Sequence, residues 1–221
     1  MYAEFADQLD LETNESLQAL AASLRAQAVP WVRDVVPALC GIAVHLDPYH
    51  PGLPEAPLEA FGALIEEAFR SAGKFDDRGH IVEVPVCYEP PFGLDLKDIA
   101  AHTGLPAEEI VRRHVRSDHR VLMVGFAPGQ PYIGGLDPKL FVPRRATPRT
   151  MMPVGAVAIA VGQTAVYPFG TPGGWNVVGR TPLRVFDPER DPASLFAPGD
   201  RVKFVPIARA EYERLAGGAD A

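Results

Sequence analysis

The sequence predicts an α+β protein in two parts: a small N-terminal α+β sandwich over residues 1–90, and a turn-rich β domain, barrel or sandwich, over residues 91–221 with a helical hairpin at its start. Three observations carry this expectation. Helical periodicity alternates with short β-prone runs in the first 90 residues. From Gly125 to Pro182, nineteen of 58 residues are Gly or Pro, so helices cannot persist and short strands divided by turns must fill the space. The charge changes sign between the parts: residues 1–90 carry 5 Lys+Arg against 15 Asp+Glu, and residues 91–221 carry 16 against 13.

Tyr2 to Phe5 reads as the remnant of an opening strand. Leu17, Leu20, Ala21 and Leu24 recur at helical spacing behind Thr13 and Asn14, either of which could cap, so a helix is expected from Asn14 to Gln27, closed by Pro30. VRDVVP and LCGIAVHL are short β-rich runs, a Pro-rich loop spans Pro48 to Pro57, and a second helix turns Leu58, Phe61, Ile65 and Phe69 inward. HIVEVPVCY is assigned as a strand of the N-terminal domain. In the second part VAIAV, TAVYPF, LRVF and, after the turn APGD, RVKFVPI are the expected strands, and the terminal AGGADA is expected to be disordered.

Composition narrows the function class. No stretch approaches the roughly 18 unbroken apolar residues of a membrane span, and MYAEFADQLD lacks the basic and apolar regions of a secretion signal. The cytoplasm is the expected compartment. Cys40 and Cys87 lie in apolar runs outside any metal-ligand spacing and read as structural thiols. Between Arg112 and Arg184 ten basic side chains face only Asp118 and Asp137, a segment that should attract anions.

Two motif-like stretches are set aside on physical grounds. LKDIAAHTGLPAEEIVRRH has the form of a helix-turn-helix, but its second helix leads with Glu108 and Glu109, where phosphates would have to be met, so a packing hairpin is the better reading. Gly174 to Thr181 differs from GxxxxGK[ST] only by Arg180 for Lys; Pro182 and a strand-like LRVF follow where a P-loop must open a helix.

The motifs GFAPGQPYIGGL, PRRATPR, GQTAVYPFGTPGGW and GRTPLRVFDP, long and consecutive, resemble the family of 5-oxoprolinase B subunits, also described as allophanate hydrolase subunit 1 or the KipI kinase-inhibitor family. The likeness is strong over residues 83–207 and a matter of pattern over residues 2–80. It implies a cyclophilin-like β-barrel for the second domain. It further implies a subunit, inactive alone, of an enzyme that opens 5-oxo-L-proline to L-glutamate with ATP and Mg. Its implied partners are a large carboxyltransferase-type subunit and a lactam-utilisation subunit. Relatives form the carboxyl-transfer part of biotin-dependent urea carboxylases, which makes biotin the cofactor of an alternative reading; a histidine-kinase inhibitor is another, and prolyl isomerisation rests on fold analogy alone. Gln130 and His119 stand where the family usually has aromatic residues, exchanging bulk for hydrogen-bonding capacity near the expected pocket.

Candidate roles follow from chemistry. A substrate carboxylate is best held by a bidentate guanidinium, from Arg144, Arg145, Arg149 or Arg180. Gln163 and Tyr167, four apart on one strand, could point an amide and a phenol the same way. Gly173 and Gly174 would admit backbone amides to an oxyanion, with Trp175 as a wall for a flat ring. His114, among arginines, is a candidate base, although a helix C-terminus would favour its cation. The structural alternative for each, an ion pair, a satisfied core group or a tight turn, stays open. No Ser-His-Asp spacing, acid dyad or metal set is visible, as befits a site that a partner completes.

Overall fold

The computed structural model describes residues 1–71 and 80–218. These divide into two compact units, Met1–Gly79 and His80–Ala221.

The first unit is a three-stranded antiparallel sheet, order β1-β3-β2, with two helices against it: β1 (Tyr2–Glu4), α1 (Leu11–Ala26), β2 (Val32–Pro37), β3 (Gly41–Leu46) and α2 (Pro57–Ser71). Helix α1 begins before the expected caps, because the Asp10 side chain accepts from the Thr13 amide at 2.7 Å. Asn14 instead points inward and donates to the carbonyls of Ala38 and Leu39, tying the helix to the β2–β3 turn. Leu17, Leu20, Ala21 and Leu24 are buried as their spacing requires. In α2 the inward stripe is Phe61, Leu64, Ile65 and Ala68. Leu58 and Phe69, expected inward, are 72% and 58% exposed: α1 and a narrow sheet cover one stripe of α2 only.

The second unit is a seven-stranded barrel. Its strands are β4 (Ile81–Val86), β5 (His119–Val124), β6 (Pro131–Gly134), β7 (Ala156–Ala160), β8 (Gln163–Val166), β9 (Asn176–Arg180) and β10 (Arg201–Pro206), in the order β4-β10-β5-β6-β8-β7-β9. The run HIVEVPVCY therefore belongs here and not to the first domain. β4 pairs in parallel with β10 over its whole length, Ile81 opposite Arg201 through Val86 opposite Pro206. A parallel partner more than a hundred residues away leaves no local trace in the sequence. The two edge strands then close the barrel through one bridge, the Cys87 and Arg180 amides each donating to the other's carbonyl at 2.9 and 3.0 Å. Gly179 permits this approach, since a Cβ there would lie 2.7 Å from Val86 and 2.8 Å from the Cys87 carbonyl.

The helical hairpin is α3 (Leu96–Thr103) and α4 (Ala107–Arg116), with Gly104 in the left-handed conformation ending α3. Ile110 and His114 of α4 are buried against the barrel, whose core includes Ile133, Ile159, Val166 and Phe204. Hairpin packing explains the motif. LRVF forms no strand; Phe186 makes only an isolated bridge to Ser194. The chain continues into α5 (Arg209–Gly218), so Ala216–Gly218 of the expected disordered tail are helical, and the remainder lies outside the described residues. No helix among the described residues is long and apolar enough to cross a membrane.

Candidate functional site

Strands β6, β8, β7 and β9 present two different faces. Inward go Ile133, Val157, Ile159, Val166 and Val178. Outward go Ala156, Ala158, Ala160 and Ala165, covered by Tyr167, Trp175, Val177, Met152 and Tyr132. Gln163 and Tyr167 share this outer face, as their spacing requires, but they are only 7% and 2% exposed and form a covered layer.

The arginines of PRRATPR have separate fates. Asp95, one residue ahead of α3 and 1% exposed, receives Arg145 at 2.6 Å and Arg149 through two nitrogens at 2.9 and 2.7 Å. The same carboxylate accepts the Val177 amide of β9 at 2.7 Å. Four donors on one buried carboxylate fix the 145–149 segment to the barrel, so Arg149, expected to hold substrate, is committed to structure, and Arg145 is tied to Asp95 while it lines a cavity.

Arg144 is different. It is exposed and makes no ion pair with any described residue. Burial raises the pKa of Tyr167 to about 12 and also raises that of Tyr132, while the Arg144 charge pulls both down. Both phenols are therefore protonated donors at neutral pH. Tyr132 stands edge-on to Trp175 with ring centroids 5.8 Å apart, and a Cβ on Gly174 would make ordinary contact with Arg144 at 3.8 Å. Arg144 also lines an open cavity of about 370 Å³ together with Arg145, Asp98, His102, Thr147 and Asn176. That volume is of small-molecule size, and two guanidiniums, Arg144 and Arg145, against the single carboxylate of Asp98 among its described lining residues leave it cationic, which suits a small carboxylate.

Other expected site residues take different places. His114 is fully buried, its Nδ1 2.9 Å from the Tyr88 hydroxyl and its Nε2 3.3 Å from Thr164 Oγ1. Burial first, then neighbouring His119, drives its pKa well below 6.5. It is neutral, as a base must be, but the barrel core encloses it. His119 is equally enclosed, donating from Nε2 to the His114 carbonyl at 2.7 Å, and burial lowers its pKa to about 4. Gln130 is 2% exposed, so both departures from the family's aromatic pattern are buried positions that line neither the Arg144 nor the Arg180 cavity. The Gly173 amide is spent on the Arg149 carbonyl at 3.0 Å, and Trp175 is 5% exposed, a packing ring and not a ligand wall. Arg180 lines a different cavity, sharing no residue with that of Arg144. Cys87 is fully buried, Cys40 partly, and both are free thiols. The described residues contain no cluster of His, Cys, Asp and Glu able to hold a metal.

Comparison with known proteins fits this architecture. The family described as carboxyltransferase domain, subdomain C and D, matches residues 1–196. The 5-oxoprolinase B subunit of Bacillus subtilis (strain 168) is 37% identical over 218 residues, covering 96% of this chain and 91% of that protein. The crystal structure of TTHA0988 is 34% identical with a TM-score of 0.79; the match covers 94% of this chain but only 40% of that longer one. The urea amidolyase of K. lactis has the same fold, with a TM-score of 0.77 at 19% identity over 99% of this chain and 15% of the other. The chain belongs to the carboxyltransferase-domain family of subdomains C and D and, within it, to the group of 5-oxoprolinase B subunits.

Proposed function

We propose that this chain is the B subunit of an ATP-dependent 5-oxoprolinase, working with a large carboxyltransferase-type subunit and a lactam-utilisation subunit to convert 5-oxo-L-proline to L-glutamate in the cytoplasm. Arg144 is the observation that carries the reading. It is a guanidinium without an ion pair to any described residue, beside a small-molecule cavity, in a segment whose other two arginines share Asp95. A five-membered lactam bearing one carboxylate needs such a cation to hold it.

The protonation states suit a shared site. Tyr132, half-buried, keeps its proton and can donate to an amide oxygen, while Tyr167 is covered and His114 is sealed in the core. This chain then contributes binding and polarisation, and a partner contributes the base. ATP with Mg would make the lactam carbonyl oxygen a leaving group as phosphate, overcoming the amide's resistance to hydrolysis. Gly174 lies beside Arg144, where a Cβ would come into contact with its side chain.

The test is reconstitution with both partners and measurement of ATP hydrolysis with and without 5-oxoproline. Strict dependence on the lactam is expected. Turnover that requires urea and biotin instead would replace this reading with the carboxylase one, for which likeness at 19% identity gives the fold alone.

A further inference from the structure

We propose that the barrel carries a second ligand site under α5, built for a planar aromatic anion of nucleotide size. Assigning ATP to it rests on the 5-oxoprolinase reading; the site's own chemistry does not. The cavity measures about 690 Å³ and is walled by Phe169, Phe186 and Tyr212, with Arg180 and Arg184 as its cations. No carboxylate occurs among its described lining residues, whereas the Arg144 cavity includes Asp98.

Arg180 donates from Nε to the Val154 carbonyl at 2.6 Å and sits 5.9 Å from the centre of the Tyr212 ring. Its backbone is locked by the bridge that closes the barrel, so the guanidinium is held in place without an acidic partner among the described residues. Arg184 has only a surface pair with Asp187 at 3.3 Å and is 63% exposed. Such a pair is weak, and a polyanion can displace it. Phe169 and Phe186 meet at 5.9 Å and 61°, and Phe169 remains 39% exposed. Aromatic rings at an open cavity beside two cations have the makings of a base-stacking wall and a phosphate clamp. The volume falls within the range of small-ligand sites. This is not a P-loop: Arg180 ends a strand, and the buried Thr181 hydroxyl accepts the Leu183 amide at 3.2 Å, so a divalent ion would have to arrive on the nucleotide.

The experiment is calorimetric titration of the full chain with Mg-ATP, adenosine and inorganic triphosphate, repeated on Arg184→Ala and Phe169→Ala, two partly exposed positions chosen to spare the fold. Mg-ATP should bind, and each variant should weaken it about tenfold. Arg184→Ala should also weaken triphosphate, and Phe169→Ala only the ligands that carry adenine. Absence of Mg-ATP binding to both the chain and the reconstituted complex overturns the site, as does binding that neither variant changes. A complex that hydrolyses ATP with 5-oxoproline, but whose KM for ATP ignores both variants, overturns the site and keeps the proposed function. A chain that binds Mg-ATP in this pattern while its complex ignores 5-oxoproline keeps the site and removes the function.

Discussion

The inner and outer faces of β7 and β8 are built from alternate residues of the same hairpin, yet they do opposite things. Val157, Ile159 and Val166 fill the barrel with branched side chains, and Thr164 reaches the enclosed His114. Ala158, Ala160 and Ala165 leave the outer surface low, so that Tyr132, Tyr167 and Trp175 can lie close to the sheet. Branched bulk within gives a barrel that resists change. Small residues without leave room for a packed layer of aromatic groups, with the exposed Arg144 beside it.

The sharpest way to break the outer arrangement is to remove its anchor. Asp95→Ala leaves Arg149 and the Val177 amide without their acceptor and Arg145 with only the exposed Asp98 at 3.3 Å. We expect a loss of about 3–5 kcal/mol in chemical denaturation. A loss near zero would mean that the 145–149 segment is held by packing alone. On the inner face, Ile159→Ala opens a cavity in the core, with an expected cost of about 2–5 kcal/mol. Tyr167→Phe, on the outer face, should cost about 1 kcal/mol or less, because no hydrogen bond of its hydroxyl to a described residue is lost. Equal effects of these two would erase the distinction between the faces.

Acid probes the inner face alone. His119 has a folded pKa of about 4 because burial disfavours its cation, against about 6.5 in the unfolded chain. The unfolded chain thus binds the proton more readily. The stability that His119 contributes is complete above pH 6.5 and is lost as pH falls from there towards 4, by on the order of 2 kcal/mol at pH 5. His114, lowered for the same reason, deepens the loss. Thermal unfolding at pH 7.5 and pH 5 should show it, and His119→Gln should shrink the difference between the two.

Much of the molecule was legible because its signals are local. The strands β2, β3, β7, β8 and β10 follow their β-prone runs, and Gln163 and Tyr167 share a face because strand geometry gives them no alternative. The domain boundary was misplaced at residue 90 because the parallel partner of β4 is β10, far along the chain. The site was legible as a set of residue types and not as an arrangement. PRRATPR offers three arginines of identical chemistry, and Asp95, fifty residues upstream of Arg145, decides which are paired. His114 looked available because its neighbours in sequence are arginines, but its neighbours in space are Tyr88, Thr164, His119 and Phe204. Tyr132 went unnoticed because only the fold brings it against Trp175.

Arg144→Ala has the smallest expected effect on the fold and the most direct one on function. An exposed side chain without an ion pair to any described residue contributes little to stability, so the unfolding free energy should move by less than about 0.5 kcal/mol. In the reconstituted complex the loss of a bidentate carboxylate contact should lower kcat/KM for 5-oxoproline by about 10- to 100-fold. The contact is made to a carboxylate that does not react, so it is present in ground state and transition state alike and its loss should raise KM while leaving kcat nearly intact. Arg144→Lys keeps the charge but not the planar fork, and should recover only part of the affinity. A fall in kcat at constant KM would move Arg144 from holding the substrate to stabilising charge at the reacting carbonyl. Unchanged kinetics would detach the outer face from the substrate altogether and leave its aromatic layer as packing.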